Sequence, residues 1–230
     1  MTAPPLIESR ALARRDARTA ALILAPTDFS LCPGERVVIA GPSGAGKSIL
    51  LRALALLDPF DGGRLLWRGR PIERHAIPKY RRSVAYLRQR PALVDGTVDD
   101  NLRYPYSLEI YRDARFDRGR AVELVRSTGR SDDFLDKRAS ELSGGEAQIA
   151  ALVRVLQLEP EVLLLDEPTA ALDPEAVRAI ETLVTAWFDT DRASRAAVWV
   201  SHDRAQAERV GQRHLFMRAG KLAARQENDE

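Results

Sequence analysis

Arg36-Val37-Val38-Ile39-Ala40 runs straight into Gly41-Pro42-Ser43-Gly44-Ala45-Gly46-Lys47-Ser48, and the apolar residues Ile49, Leu50, Leu51, Leu54, Leu56 and Leu57 follow. A short β-branched run bounded by glycine reads as a buried parallel strand. The spacing after Lys47 predicts an apolar helix stopped by Asp58-Pro59. Strand, glycine loop and helix in this order form a cradle for phosphate. Glycines 41, 44 and 46 let backbone approach the anion, and the helix start offers unpaired N–H groups. Lys47 is then placed to bridge β- and γ-phosphates, and the Ser48 hydroxyl to ligate magnesium.

The chain around this loop has 230 residues, enough for one large domain or two small ones. No apolar run approaches the ~18 residues of a membrane span, and the Arg-rich N-terminal stretch has no signal-peptide pattern. A cytoplasmic protein is expected, with any membrane role exercised through a partner. Net charge is only +2, so charge alone makes no case for nucleic acid. The lone Cys32 excludes an internal disulfide, fits a reducing compartment and reads as a small packed residue.

Downstream, Asp61-Gly62-Gly63 is a turn and Arg64–Arg68 a hairpin arm. With the N-terminal stretch and Thr27–Leu31 it predicts a small antiparallel β layer. Ser83–Leu87 is a further strand, ending at Arg88-Gln89. From Thr97 to about Arg138 the chain is polar and helical without a buried-strand signal, an expected helical insertion. A helix opening at Ser143 buries one face through Ile149, Leu152, Val153 and Leu156. Val162–Leu165 and Ala197–Val200 are later strands, and the polar, acidic tail after Arg225 is expected to fray.

Two groups of residues extend the chemistry. Asp166 and Glu167 close the apolar strand Val162–Leu165; the first suits a magnesium ligand and the second a general base for an attacking water. Otherwise such a pair would be a turn or helix cap. Gln89 is a solvated strand end or a sensor of the magnesium and water. His202 is structural or sits near the γ-phosphate. Ser143-Gly144-Gly145, at a helix start, is a second anion site, an N-cap completed by Glu146, or both.

Across almost its whole length the chain resembles the ATP-binding subunit of an ABC transporter. The residues that carry the likeness are Gly41–Ser48 as Walker A, Gln89 as the Q-loop and Leu142-Ser143-Gly144-Gly145-Glu146 as the signature. Val162–Glu167 stands as Walker B, Ala171-Leu172-Asp173 as the D-loop and His202 as the switch histidine. The resemblance implies an α/β P-loop NTPase with a RecA-like core, an antiparallel β subdomain and an α-helical insertion subdomain. Within a single domain over 1–230, residues 1–35 and 60–80 would form the β layer. Residues 36–59, 81–90 and 155–225 would form the core, and 91–154 the helical part carrying the signature. It implies ATP and Mg2+ as ligands, held by Gly41–Ser48 and Ile49 and by Ser48, Gln89 and Asp166, with Glu167, His202 and Gln89 catalytic. It implies a homodimer in which Ser143 and Gly145 reach ATP bound by the other copy. It also implies a separate integral membrane permease, no nucleic acid, and a place on the inner face of the cell membrane.

Gly96-Thr97-Val98-Asp99-Asp100-Asn101-Leu102 with Pro105, and Val198–Asp203, look like ATPases of bacterial iron-export systems. Three departures from the family stand out. Ile49 replaces a threonine, Glu146 replaces a glutamine and brings a charge that a neighbouring arginine would offset, and no aromatic near Ala13–Arg15 can stack on adenine. Arg14 or Arg15 is the expected substitute. The rival readings are a soluble ABC ATPase working on DNA or ribosomes and a small-molecule kinase or GTPase. The first would carry a coiled coil, zinc insertion or second cassette; the second leaves the Ser-Gly-Gly turn and His202 unexplained.

Overall fold

The computed structural model describes residues 4–224, so the tail beyond Arg225 lies outside the described residues. In chain order the elements are β1 (Ile7–Arg15), β2 (Leu22–Leu31), β3 (Arg36–Ala40), α1 (Lys47–Leu54), β4 (Gly62–Trp67) and β5 (Arg70–Pro71). Next come α2 (Ile77–Ser83), β6 (Val84–Leu87), α3 (Val98–Arg103), α4 (Arg118–Arg126) and α5 (Gly144–Leu156). The chain finishes with β7 (Val162–Asp166), α6 (Pro174–Thr190), β8 (Ala196–Val200), α7 (Arg204–Val210), β9 (Arg213–Arg218) and β10 (Lys221–Ala224). Short 3₁₀ turns link α3 to α4 and α4 to α5.

These elements fall into two compact units. The first runs up to Tyr86, takes in Glu161–Glu167 and resumes at Asp191; the second comprises Leu87–Pro160 and Pro168–Thr190.

In the first unit an antiparallel sheet ordered β2-β1-β4-β5 accompanies a six-stranded sheet ordered β10-β9-β3-β8-β7-β6. The strands β3, β7, β8 and β9 pair in parallel, and β10 turns back on β9. Val37, Ile39, Val162, Leu164, Val198 and Val200 are buried among Leu50, Leu51 and Leu54 of α1 and Leu24, Phe29 and Leu31 of β2. β7 and β8 are buried at every position, as a sheet covered on both faces demands. Register matters more for function: Ile39 pairs with Val200, and Val200 with Asp166. The carboxyl ends of β3, β8 and β7 therefore finish level with one another, the edge where parallel α/β sheets hold ligands.

Gly62 and Gly63, expected in a turn, already belong to β4, and two other boundaries differ more from the sequence expectation. Helix α1 ends at Leu54 and does not continue to Leu57. Leu56 adopts a left-handed φ of +54°, Leu57 N–H donates to Arg52 O at 2.9 Å and Leu56 N–H to Ala53 O at 3.0 Å. This pair of bonds is a Schellman stop, which satisfies the last carbonyls before Asp58-Pro59 is reached. Strand β2 is also longer than Thr27–Leu31, because its first half pairs with β1 from Arg15↔Leu22 onward.

The second unit is helical. Helix α5 buries Ile149, Leu152, Val153 and Leu156, the face its periodicity marks. Asn101 of α3, wholly buried, accepts from Val94 N–H at 2.8 Å and donates to the Val94 and Thr97 carbonyls, each at 2.9 Å. Helix α6 buries Ala176, Ile180, Leu183, Val184, Trp187 and Phe188 along one stripe. Gly145 meets its first turn closely: a Cβ there would stand 2.8 Å from that of Ala176.

Candidate nucleotide site

The glycine loop leaves β3 under tight constraint. A Cβ on Gly41 would lie 2.1 Å from the Met217 carbonyl oxygen on β9, and its φ is +141°. Gly44 (φ +76°) instead faces open space, and Gly46 (φ +105°) is the N-cap of α1 with no side-chain cap bond. A helix opening on glycine leaves its first N–H groups to backbone, solvent or an anion. Pro42, Ser43 and Gly44 are exposed at the loop's tip, whereas Ala45 is buried. Lys47 is only 5% exposed and donates to the Gly41 and Pro42 carbonyls at 2.8 and 2.9 Å. Burial lowers its pKa, and the carboxylates of Glu167 and Asp166 oppose that shift.

The end of β7 supplies the acids. Asp166 is buried; Ser48 Oγ donates to its Oδ1 at 3.0 Å and the Tyr86 hydroxyl to its Oδ2 at 2.8 Å. Glu167 follows with a left-handed φ of +48°. Its Oε1 lies 2.5 Å from His202 Nε2 and 3.9 Å from Lys47 Nζ. The turn carrying His202 is fixed on both sides. Ser201 Oγ accepts from Asp203 N–H at 3.1 Å and contacts Gln206 Oε1 at 2.8 Å, and the Asp203 side chain caps α7. The first unit thus brings Lys47, Ser48, Asp166, Glu167 and His202 together.

Gln89, Ser143 and Gly145 are carried by the second unit. Ser143 Oγ accepts from Glu146 N–H at 3.2 Å while Glu146 Oε2 accepts from Ser143 N–H at 2.9 Å, a complete capping box. The charge of Glu146 is met by a lysine, not the arginine expected: Lys137 Nζ lies 2.6 Å from Oε1. Lys137 and the Ser143 N–H together hold that carboxyl below its ordinary pKa. Beside Gln89, Gln148 of α5 donates to the Arg88 carbonyl at 3.3 Å, and Arg154 to the Ala92 carbonyl at 2.8 Å. Asp173, in the turn before α6, accepts from Ala176 N–H at 2.9 Å.

The departures also acquire positions. Ile49 packs against the apolar core of the first unit, so its side chain serves that core and supplies no hydroxyl. Arg14 is ion-paired with Asp58, and Arg15 donates to the Ala20 carbonyl at 3.0 Å. Tyr86 was not expected at all. Its one sequence signal is its place on a strand, three residues before Gln89. Nothing in that spacing says its hydroxyl reaches an acid 80 residues away.

The comparisons with known proteins meet this geometry. Residues 24–170 match the family model described as ABC transporter, close to two thirds of the chain. The chain belongs to the ABC transporter family. Protein STAR1 of rice (Oryza sativa subsp. japonica) is 40% identical over 96% of this chain, which spans 62% of that relative's length. The Escherichia coli K12 protein described as probable iron export ATP-binding protein FetA is 38% identical over 80% of each chain. A dimeric ATP-binding cassette solved in a post-hydrolysis state with ADP and Pi superposes with a TM-score of 0.82 at 25% identity, over 95% of this chain and 98% of that one. The fold is therefore that of a P-loop NTPase, and the chain is an ABC-type ATP-hydrolase domain.

The residues present suit Mg-nucleotide. Among the described residues no group of three or more His, Cys, Asp or Glu could enclose a metal. One carboxylate beside one hydroxyl, Asp166 and Ser48, is a hard-oxygen set that phosphates and waters would complete, the manner in which Mg2+ is held. The open space above Gly44 and the uncapped start of α1 leave room for those phosphates. No described helix is long and apolar enough to cross a membrane.

Proposed function

We propose that this ABC protein is the ATP-hydrolysing subunit of a transporter and drives cargo through a separate integral membrane permease. In this reading Lys47 neutralises the β- and γ-phosphates, the Gly41–Ser48 backbone cradles them, and Ile49 contributes packing only. Ser48, Asp166 and Gln89 hold Mg2+, which when bound offsets phosphate charge. Glu167 accepts a proton from water as its oxygen bonds to the γ-phosphorus and the bond to the β–γ bridging oxygen breaks. His202 orients Glu167 and the γ-phosphate, and Gln89 orients the water. The observation that carries the reading is the contact of Glu167 with His202 at 2.5 Å, beside Lys47, at the end of β7. A carboxylate so held is poised to receive a proton next to the lysine that would hold the phosphates.

Ser143 and Gly145 act in trans, on ATP bound by a second copy, so that ATP binding closes a homodimer and hydrolysis opens it. The complex lies on the inner face of the cell membrane, with the ATPase peripheral and cytoplasmic. A metal ion is the proposed cargo, with iron export its specific form, on the likeness to FetA.

Glu167→Gln tests the assignment. It is expected to retain ATP binding, to lose turnover by about 10²- to 10⁴-fold, and to accumulate an ATP-bound dimer on size-exclusion chromatography. A variant that stays monomeric with wild-type turnover sinks both the base and the shared-site reading. Co-purification with the membrane protein encoded in the adjacent reading frame, followed by metal flux in vesicles, tests the cargo.

A further inference from the structure

We propose that Tyr86 is a positioning residue for the magnesium carboxylate, setting which oxygen of Asp166 addresses the metal. This rests on the reading of Asp166 given above. Asp166 is gripped on both oxygens, by Ser48 at Oδ1 and by Tyr86 at Oδ2, at 3.0 and 2.8 Å. Ser48 is itself a proposed ligand. Tyr86 is the donor that can keep its bond to Oδ2 while Oδ1 and the Ser48 hydroxyl turn to the ion.

A carboxylate accepts, so the Tyr86 hydroxyl gives its single proton to Asp166 Oδ2, within the first unit and across 80 residues of sequence.

Losing an outer-shell partner of a metal ligand typically costs about 10- to 100-fold in metal affinity. The test is the factor by which Mg2+ tightens binding of fluorescent mant-ADP, measured on the full chain in EDTA and in excess Mg2+. Tyr86→Phe keeps the ring and is expected to cut that factor by about tenfold, with the EDTA affinity unchanged. Asp166→Asn is the control for the underlying reading and should abolish the enhancement. If Asp166→Asn keeps the enhancement, Asp166 is not the metal carboxylate. If Asp166→Asn loses it while Tyr86→Phe matches the wild type, the role of Tyr86 alone is overturned. An equal loss for Tyr86→Phe in EDTA and in Mg2+ overturns it too, since that is what a packing residue would do.

Discussion

The chain builds two glycine turns at helix starts, and they are finished differently. Gly41–Ser48 opens α1 on Gly46, in left-handed conformation, with no side-chain cap. Leu142–Glu146 opens α5 on Ser143, whose hydroxyl and whose partner Glu146 satisfy each other's backbone N–H. The first turn keeps its donors available and adds a buried lysine beside two carboxylates. The second has already used a hydroxyl and two N–H groups to stabilise its own helix. A glycine-rich helix start is therefore not one kind of object. One leaves its helix start without a side-chain cap; the other spends its hydroxyl and carboxylate on its own helix.

Substitutions can break that contrast at either turn. The largest effect is expected at Gly41→Ala, where a methyl would meet the Met217 carbonyl at 2.1 Å on a backbone of φ +141°. A loss of about 3 kcal/mol or more should appear in urea unfolding followed by circular dichroism. Wild-type stability would mean the loop is not pinned as described. In the second turn, Ser143→Ala removes a cap and should cost about 1 kcal/mol, while Ser143→Thr, which retains the hydroxyl, should cost less. Equal losses would show that the cap bond is not what holds the turn.

The smallest effect is a pH dependence. Glu146 has a folded pKa below its unfolded value, so its stabilisation is complete above the unfolded pKa and is lost as pH falls through the folded one. The stability gap between wild type and Glu146→Gln, under about 1 kcal/mol for so exposed a pair, should close as the solution is acidified below roughly pH 4. The start of α1 has no acidic residue in its first turn to titrate in this way. A gap unchanged by acid would remove Glu146's charge from the account.

Legibility in the sequence followed the range of the interaction. β3, β7 and β8 were readable because burial on both faces leaves an unbroken apolar run, and α5 because its period is one helix face. The stop of α1 at Leu54 was not, since it depends on Leu56 entering a conformation that leucine seldom adopts. β9 and β10 were missed because their residues are mostly half-exposed in β9 and exposed in β10 and give no contrast of faces. The stripe of α6 was present in the sequence but unread between two stronger motifs. Lys47, Ser48, Asp166, Glu167 and His202 could be named in advance because they follow strands whose ends the register brings level. Tyr86 and Lys137 could not: each is defined by a partner chosen in space, Asp166 for one and Glu146 for the other.

The backbone of Glu167 has a consequence for how this molecule can vary. At φ +48° an L side chain is disfavoured by about 1 kcal/mol, and glycine or asparagine would rest there more easily. Random change at this position therefore has a downhill direction in folding free energy that leads away from a carboxylate. Glutamate at this position is therefore not what folding alone would select, and its retention calls for a reason in its side-chain chemistry.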